Sequence, residues 1–178
     1  RFQNSERANG IEEEQIQNFV STGEKILRNF LYSGERGSKS RVREGRIGLL
    51  VGEVQSGKTK NFLSLISSAF DNGYDLTIIL AGNNKELVSQ TNERLRKTFS
   101  NSDVVIKSTI DYESKSNAAT IKNLRDTFAS EDIKQNNDKF ILTVMKETKN
   151  LEFMQQVIKG NENLDILIID DEGDQGSL

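Results

Sequence analysis

Short apolar runs alternate with helical patterns over most of the chain. Each run is bounded by glycine, asparagine, aspartate or charged residues, as buried strands are. The predicted strands are Ile47–Val51, Leu76–Ala81, Val104–Ile106, Phe140–Met145 and Leu164–Ile169. Because strands that alternate with helices are typical of α/β folds, we expect a mostly parallel sheet of about five strands, flanked by helices on both faces.

Amphipathic helices are predicted between these strands, where apolar residues recur at three- and four-residue spacing. The three stripes are Phe62, Leu63, Ile66, Ala69 and Phe70; Leu87, Val88, Thr91, Leu95 and Phe99; and Leu151, Met154, Val157 and Ile158. The first helix is predicted to end at Asn72 and Gly73, and the third at Gly160, because glycine is common where helices end.

The chain divides into two predicted regions. Residues 1–46 form a helical arm and a basic linker, and residues 47–178 form the α/β lobe. The apolar face of the arm consists of Ile16, Phe19, Val20, Leu27, Phe30 and Leu31. Three acids, Glu12, Glu13 and Glu14, suit the positive end of the arm helix. The polar stretch 33–46 carries five basic residues against two acids, and we interpret it as a solvated linker rather than a phosphate contact.

Residues 111–139 interrupt the alternation. They are rich in serine, asparagine, lysine and aspartate, and only Ile121, Leu124 and Phe128 stand at helical spacing. We therefore expect one surface helix within a mobile insertion.

Composition excludes several classes of chemistry. The 178 residues include no histidine and no cysteine, so catalytic imidazoles, thiol nucleophiles, disulfides and zinc–thiolate sites are impossible. The absence of cysteine fits an intracellular protein, and we expect a cytoplasmic one without a membrane segment. The net charge of −3 gives no overall attraction to nucleic acid, so any polyanion site must be local. Since the first residue is Arg1 rather than methionine, we expect a fragment.

The string Gly52-Glu-Val-Gln-Ser-Gly57-Lys58-Thr59 fits the phosphate-loop pattern GxxxxGK[ST]. Two glycines let the backbone turn tightly and direct several N–H groups at one phosphate. Lys58 is expected to reach the β- and γ-phosphates, with a catalytic role, and the Thr59 hydroxyl to bind Mg²⁺. The predicted nucleotide-binding residues are Gly52, Gln55, Ser56, Gly57, Lys58 and Thr59.

Adjacent carboxylates follow the last predicted strand, in the string Asp170-Asp171-Glu172-Gly173-Asp174. In nucleotide hydrolysis one such acid binds the magnesium ion, and the next orients the attacking water. The register Asp-Glu-Gly-Asp assigns Asp171 to the metal and Glu172 to catalysis. A shift by one residue would instead give the metal to Asp170, and the sequence leaves that alternative open.

A polar turn follows the strand Leu76–Ala81 and leads into a helix. Such turns at the carboxyl edge of a parallel sheet lie where ligands bind. Asn83 and Asn84, with Gln90 on the helix, are candidate contacts to a nucleic-acid backbone. Taken alone, such a turn is more often a plain connection between a strand and a helix.

Together these three segments resemble motifs I, Ia and II of the first RecA-like lobe of superfamily-two helicases. More narrowly, the chain resembles bacterial "Z-one" domain proteins in three strings: Gly52–Thr59, Leu80-Ala-Gly-Asn83 and Asp170–Ser177. That family is described as endonucleases with a helicase-like ATPase region, linked to restriction and phage defence. One departure is Gly173, where alanine is usual in both groups.

The resemblance implies a RecA-like P-loop ATPase lobe that uses ATP and Mg²⁺ and acts with DNA. It also implies a second RecA-like lobe and a nuclease module, which we expect to be absent from this chain. The fragment alone is therefore expected to bind ATP without efficient hydrolysis.

Two other readings of the phosphate loop stay open at this point. The chain could be a nucleotide-gated binding module with little or no turnover, or a small-molecule phosphotransferase, although no arginine-rich lid segment supports the latter. Two Glu-x-Lys tripeptides, at 113–115 and 147–149, resemble part of a nuclease centre. In a chain rich in lysine and glutamate they carry little weight, and we do not expect a nuclease site here.

Overall fold

A computed structural model of the chain describes residues 2–31, 58–100, 102–110, 124, 127–128, 139–162 and 164–171. Its described residues fall into two compact units, Phe2–Ala69 and Phe70–Leu178. The predicted strand Ile47–Val51, the linker 33–46 and most of the predicted insertion lie outside the described residues.

The first unit contains helices α1 (Phe2–Ala8) and α2 (Glu13–Leu31) and most of α3 (Lys58–Asp71). Helix α2 confirms the predicted arm helix, with Ile16 and Leu27 buried on its apolar face. Its N terminus carries Glu13 and Glu14, where acidic side chains favour the helix dipole.

Helix α1 was not predicted, because it has only one large apolar residue and so shows no periodicity. That residue, Phe2, is buried and packs edge-on against Phe19 with ring centroids 6.4 Å apart. Gly10, with φ of 74°, turns the chain from α1 into α2. Across this turn Arg7 donates two hydrogen bonds of 2.8 Å to the carboxylate of Glu13.

Helices α2 and α3 approach each other closely at Gly23. A Cβ atom at this position would lie 2.9 Å from the Oγ of Ser64 and 3.0 Å from the backbone nitrogen of Leu65. Only a residue without a side chain fits a helix–helix contact of this kind. The arm helix therefore packs tightly against α3 within this unit.

The second unit is built on an all-parallel sheet. Its described strands are β1 (Leu76–Ala81), β2 (Val104–Ser108), β3 (Lys139–Val144) and β4 (Ile166–Asp171), in the order β2-β3-β1-β4. The α/β class and the parallel sheet are confirmed. Strand β1 has the predicted bounds, β2 is two residues longer, and β3 begins and ends one residue earlier.

The predicted bounds of strand β4 are wrong by two residues. The strand runs from Ile166 to Asp171 rather than from Leu164 to Ile169. The register shows the reason: Asp170 pairs with Leu80 and Asp171 pairs with Ala81, so both acids belong to the β ladder. The strand is also less buried than predicted, since Ile168 is 48% exposed.

Asp75 joins the amino-terminal ends of three strands. Its backbone carbonyl accepts a hydrogen bond from the amide of Phe140 (3.0 Å), and its carboxylate accepts one from the amide of Asp165 (3.1 Å). Its own amide donates to the carbonyl of Asp165 (2.9 Å), and Lys139 lies 3.4 Å from the carboxylate. One side chain thus helps to fix the register of β1, β3 and β4.

Helices α4 (Lys85–Phe99) and α5 (Thr148–Gly160) cover opposite faces of the sheet. Alternate residues of a strand point to opposite faces. On one face the core cluster consists of Leu76, Ile78, Leu124, Phe128, Phe140, Leu142, Val144, Phe153, Val157 and Leu164. On the other face Thr143 bonds to Asn92 of α4. Helices on both faces are therefore confirmed.

Two helix ends and part of the predicted insertion follow the sequence pattern. Helix α3 ends just before Asn72 and Gly73, with φ of 92° at the glycine, and α5 ends at Gly160, as predicted. Within the insertion Leu124 and Phe128 are helical and buried, so the apolar side of the predicted surface helix packs into the core.

Candidate functional site

Helix α3 begins at Lys58, so the last two residues of the predicted phosphate-loop string, Lys58 and Thr59, form its start. The predicted residues Gly52, Gln55, Ser56, Gly57 and Glu172 lie outside the described residues. Lys58 is the first residue of α3, and its side chain is also outside them, while Thr59 is half-buried as the second helical residue. The first backbone N–H groups of a helix lack partners within the helix and favour anions. The position of α3 is therefore consistent with the predicted loop.

The first turn of α3 is tied to the arm by a largely buried ion pair. Lys60 Nζ lies 3.0 Å from Glu6 Oε2, and the two side chains are 34% and 6% exposed. The same ammonium lies 5.7 Å from the ring centroid of Phe19, within range of a cation–π interaction. The arm thus holds a residue that is two positions from Lys58.

In the second unit, three strand ends meet at the carboxyl edge of the sheet. Leu80 of β1 pairs with Val144 of β3 on one side and with Asp170 of β4 on the other. Since the strands are parallel, the segments that follow them emerge at the same edge. The turn after β1, the turn after β3 and the acids of β4 are therefore neighbours.

Lys146 connects all three strand ends. Its backbone amide donates a 2.7 Å hydrogen bond to the carbonyl of Gly82, just after β1. Its Nζ lies 2.6 Å from Oδ1 of Asp170 on β4. The Lys146 side chain is 8% exposed and that of Asp170 is 50% exposed, so the pair sits at the margin of the core. Sequence reasoning missed Lys146, because no local motif marks it.

The two acids of β4 occupy different faces of the sheet. Successive residues of a strand alternate, so the pairing of Asp170 with Lys146 leaves Asp171 on the opposite face. Asp171 is half-buried. The alternative that the sequence left open, metal binding by Asp170, now concerns a carboxylate that already has a cationic partner.

The polar turn after β1 has a defined conformation. Gly82 has φ of 92°, and a Cβ there would lie 2.7 Å from Cδ1 of Leu87. Asn84 caps α4, because its side-chain oxygen accepts a 2.9 Å hydrogen bond from the amide of Leu87. Asn83, Asn84 and Gln90, the predicted nucleic-acid contacts, are exposed. Their role stays a prediction.

Behind this edge lies a buried polar connection that the sequence did not reveal. Thr143 donates a 2.6 Å hydrogen bond to the side-chain oxygen of Asn92, and its carbonyl accepts one of 2.9 Å from the amide of Thr109. The hydroxyl of Thr109 accepts one of 3.1 Å from the amide of Met145. These bonds fix α4 and the chain around β3 just before Lys146. Asn92 occurs inside an apolar stripe, which is the one hint the sequence offers.

Oxygen donors predominate among the candidate metal-binding residues. The Thr59 hydroxyl and the Asp171 carboxylate are hard ligands of the kind that Mg²⁺ prefers. Over the described residues there is no group of three or more histidine, cysteine, aspartate or glutamate side chains that could hold a metal. Thr59 belongs to the first unit and Asp171 to the second, and each by itself offers an oxygen ligand suited to Mg²⁺. In the part of the chain that the structure describes, no helix is long and apolar enough to cross a bilayer.

Comparison with known families gives a match over most of the chain. The profile of the family described as type III restriction enzyme, res subunit (ResIII), a helicase-like region of superfamily two, matches residues 11–173. No curated protein and no solved structure matches the chain. The match covers the arm helix, the phosphate-loop string and the acids of β4. It supports the broader resemblance to superfamily-two helicases, and the all-parallel sheet is consistent with a RecA-like P-loop fold.

Proposed function

The chain belongs to the type III restriction enzyme res subunit family, and on that premise we propose that it is the ATP-binding motor lobe of a helicase-like, nucleic-acid-dependent ATPase. The observation that carries the proposal is the pair of acids at the end of β4, beside the turn after β1. The family match includes both these acids and the phosphate-loop string, and helix α3 begins within that string at Lys58.

Each predicted residue has a role in the proposed reaction. Backbone amides of 52–59 hold the phosphates, and Lys58 stabilises the charge that develops on the transferred phosphoryl group. Glu172 orients the attacking water and accepts its proton. Thr59 and Asp171 would hold Mg²⁺, which neutralises the triphosphate when it is bound. The protein contributes positioning and electrostatics, which dominate in phosphoryl transfer.

Nucleic acid is the proposed partner. The exposed side chains of Asn83, Asn84 and Gln90 are neutral donors at the carboxyl edge, suited to contact with a phosphate backbone. We propose DNA rather than RNA, because the family takes its name from restriction enzymes. Hydrolysis at full rate is expected to require a second RecA-like lobe, and cleavage a nuclease module. A restriction activity on DNA would place the protein in the cytoplasm.

A narrower assignment rests on sequence strings alone. The Gln55-Ser-Gly-Lys-Thr59 and Asp170-Asp-Glu-Gly-Asp-Gln-Gly-Ser177 strings are similar to Z-one domain proteins of bacterial restriction and phage defence. We propose this group as the subfamily.

The proposal is tested by phosphate release from ATP by the full-length protein, with and without double-stranded DNA. We expect DNA to increase the rate, and Glu172→Gln to retain ATP binding while turnover is lost. A matched control is Glu162→Gln, an exposed acid after α5. If no nucleic acid changes the rate, the motor function is refuted. If Glu172→Gln keeps the biological activity of the protein, ATP binding rather than ATP hydrolysis is what the protein needs, and the chain is a nucleotide-gated binding module.

A further inference from the structure

Lys146 is a nearly buried cation that forms an ion pair with Asp170, the acid that precedes the predicted metal ligand. A lysine with 8% of its side chain exposed is costly to bury unless its charge is paired. The 2.6 Å distance between its Nζ and Oδ1 of Asp170 provides that pairing. The side chain of Asp170 is therefore held in one position at the carboxyl end of β4.

The backbone of Lys146 is fixed independently of its side chain. Its amide donates to the carbonyl of Gly82, which a φ of 92° places at the end of β1. Just upstream, Met145 donates its amide to the buried hydroxyl of Thr109. Both bonds hold the turn after β3 in place. The backbone of Lys146 is therefore fixed, and its ammonium can hold the carboxylate of Asp170 in one position.

From this geometry we propose that Lys146 is a positioning residue for Asp171, acting through Asp170. The inference rests on the proposed function, since it concerns the magnesium side of the same site. By fixing the carboxylate of Asp170 on one face of β4, Lys146 fixes the backbone at the end of the strand. Asp171, the next residue, is thereby oriented on the other face. Asp170 is an anchor and not a metal ligand.

The two possible roles of Asp170 predict opposite effects of removing Lys146. If Asp170 were the metal ligand, Lys146 would compete with the metal for its carboxylate, and removing the lysine would strengthen Mg²⁺ binding. If Asp170 is the anchor, removing the lysine loosens Asp171 and weakens Mg²⁺ binding. Residues that orient a metal ligand typically change metal affinity or activity by about 10–100-fold when they are mutated.

The test measures ATP affinity and turnover of the full-length protein as Mg²⁺ is titrated, for wild type, Lys146→Met, Lys146→Arg, Asp170→Asn and Asp171→Asn. We expect Lys146→Met and Asp170→Asn to raise the Mg²⁺ concentration for half-maximal turnover by about 10-fold or more. ATP affinity in EDTA is expected to stay unchanged. Lys146→Arg, which keeps the charge, is expected to recover most of the loss. Asp171→Asn is expected to abolish the Mg²⁺ response.

Lys149→Met is the matched control, because it removes an exposed lysine three residues away. Should Lys146→Met behave like Lys149→Met, or bind Mg²⁺ more tightly than wild type, the inference is overturned. The double variant Lys146→Met with Asp170→Asn is used if either single variant does not fold, because it removes both partners of the pair and leaves no unpaired buried charge. If wild type itself binds no ATP, the proposed function fails first and the inference fails with it. If wild type responds to Mg²⁺ and the Lys146 and Asp170 variants respond to the same extent as wild type, the proposed function stands and the inference alone fails.

Discussion

The carbonyl oxygen of Gly82 accepts a 2.7 Å hydrogen bond from the backbone amide of Lys146. This bond joins the turn after β1 to the turn after β3, and it depends on a backbone conformation with φ of 92° at Gly82. Residues with a side chain rarely adopt this backbone conformation, so this connection at the carboxyl edge of the sheet depends on a glycine at position 82.

Gly82→Ala is expected to destabilise the protein for two reasons. The positive φ costs roughly 1–3 kcal/mol in any non-glycine residue. The new Cβ would also lie 2.7 Å from Cδ1 of Leu87, and overpacking of this kind costs about 1–3 kcal/mol more. Urea denaturation measures both terms together.

Two other glycines separate these terms. Gly73 has the same φ of 92° with nothing within 4 Å of an added Cβ, and Gly160 also has open space but no positive φ. We expect the loss of stability to fall in the order Gly82→Ala, Gly73→Ala, Gly160→Ala. Equal losses for Gly82→Ala and Gly73→Ala would show that the contact with Leu87 does not matter.

The bond between Thr143 and Asn92 predicts a non-additive pair of mutations. Thr143→Val leaves the buried side-chain oxygen of Asn92 without its 2.6 Å donor, at a cost of about 1–3 kcal/mol in the free energy of unfolding. Replacing both partners, as Asn92→Leu with Thr143→Val, removes the unpaired group and is expected to recover part of the loss.

A double-mutant cycle by urea denaturation measures this coupling, with Thr148→Val at the exposed start of α5 as the control. Additive losses for Thr143→Val and Asn92→Leu would mean that the hydrogen bond contributes nothing of its own.

Local pattern was enough to predict β1, the ends of α3 and α5, and the parallel sheet. These features follow from short stretches of sequence, such as the apolar run of β1 that lies between Gly73 and Gly82. Helix α1 could not be predicted, since its one large apolar residue, Phe2, finds its partner Phe19 only after folding.

The site was predictable only in part, for the same reason. Motif spacing identified Lys58, Thr59 and Asp171 as candidates. Lys146 and Asp170 are 24 residues apart, and Asn92 and Thr143 are 51 apart, so no local motif identifies the partners of either pair. The end of β4 was misplaced because acids usually end a buried strand, whereas here the ladder with β1 continues to Asp171.

The turn between α1 and α2 predicts an acid-sensitive contact. Hydrogen bonds from Arg7, and then from Gln17, hold the pKa of Glu13 at about 2, well below its ordinary value of 4.5. Since the folded pKa is the lower one, the contact stabilises this turn fully above pH 4.5 and is lost as the pH falls toward 2.

Carboxyl ¹³C NMR of Glu13 during an acid titration measures this pKa. Arg7→Met is expected to raise the pKa of Glu13 toward 4.5, while Arg28→Met, at an exposed arginine on the same helix, leaves it unchanged. An unchanged pKa in Arg7→Met would mean that the ion pair does not form in solution.

The ion pair of Glu6 and Lys60 predicts that the arm stabilises the helix of the phosphate loop. Glu6→Gln is expected to lower the free energy of unfolding by about 1–2 kcal/mol, less than for a fully buried pair because Lys60 keeps a third of its side chain exposed. Glu12→Gln changes an exposed acid nearby and serves as the control in urea denaturation. Equal stability of the two variants would assign no role to the pair.

The proposed function requires that Lys58 and Asp171 act on one magnesium-bound triphosphate. The most direct measurement is the shift in melting temperature caused by ATP, recorded with Mg²⁺ and with EDTA, for wild type, Lys58→Ala and Asp171→Asn. We expect Lys58→Ala to lose the shift in both buffers, and Asp171→Asn to lose only the part that Mg²⁺ adds. Lys97→Ala, an exposed lysine on α4, is expected to match wild type. A full Mg²⁺-ATP shift in Lys58→Ala, or a normal Mg²⁺ response in Asp171→Asn, would contradict the account.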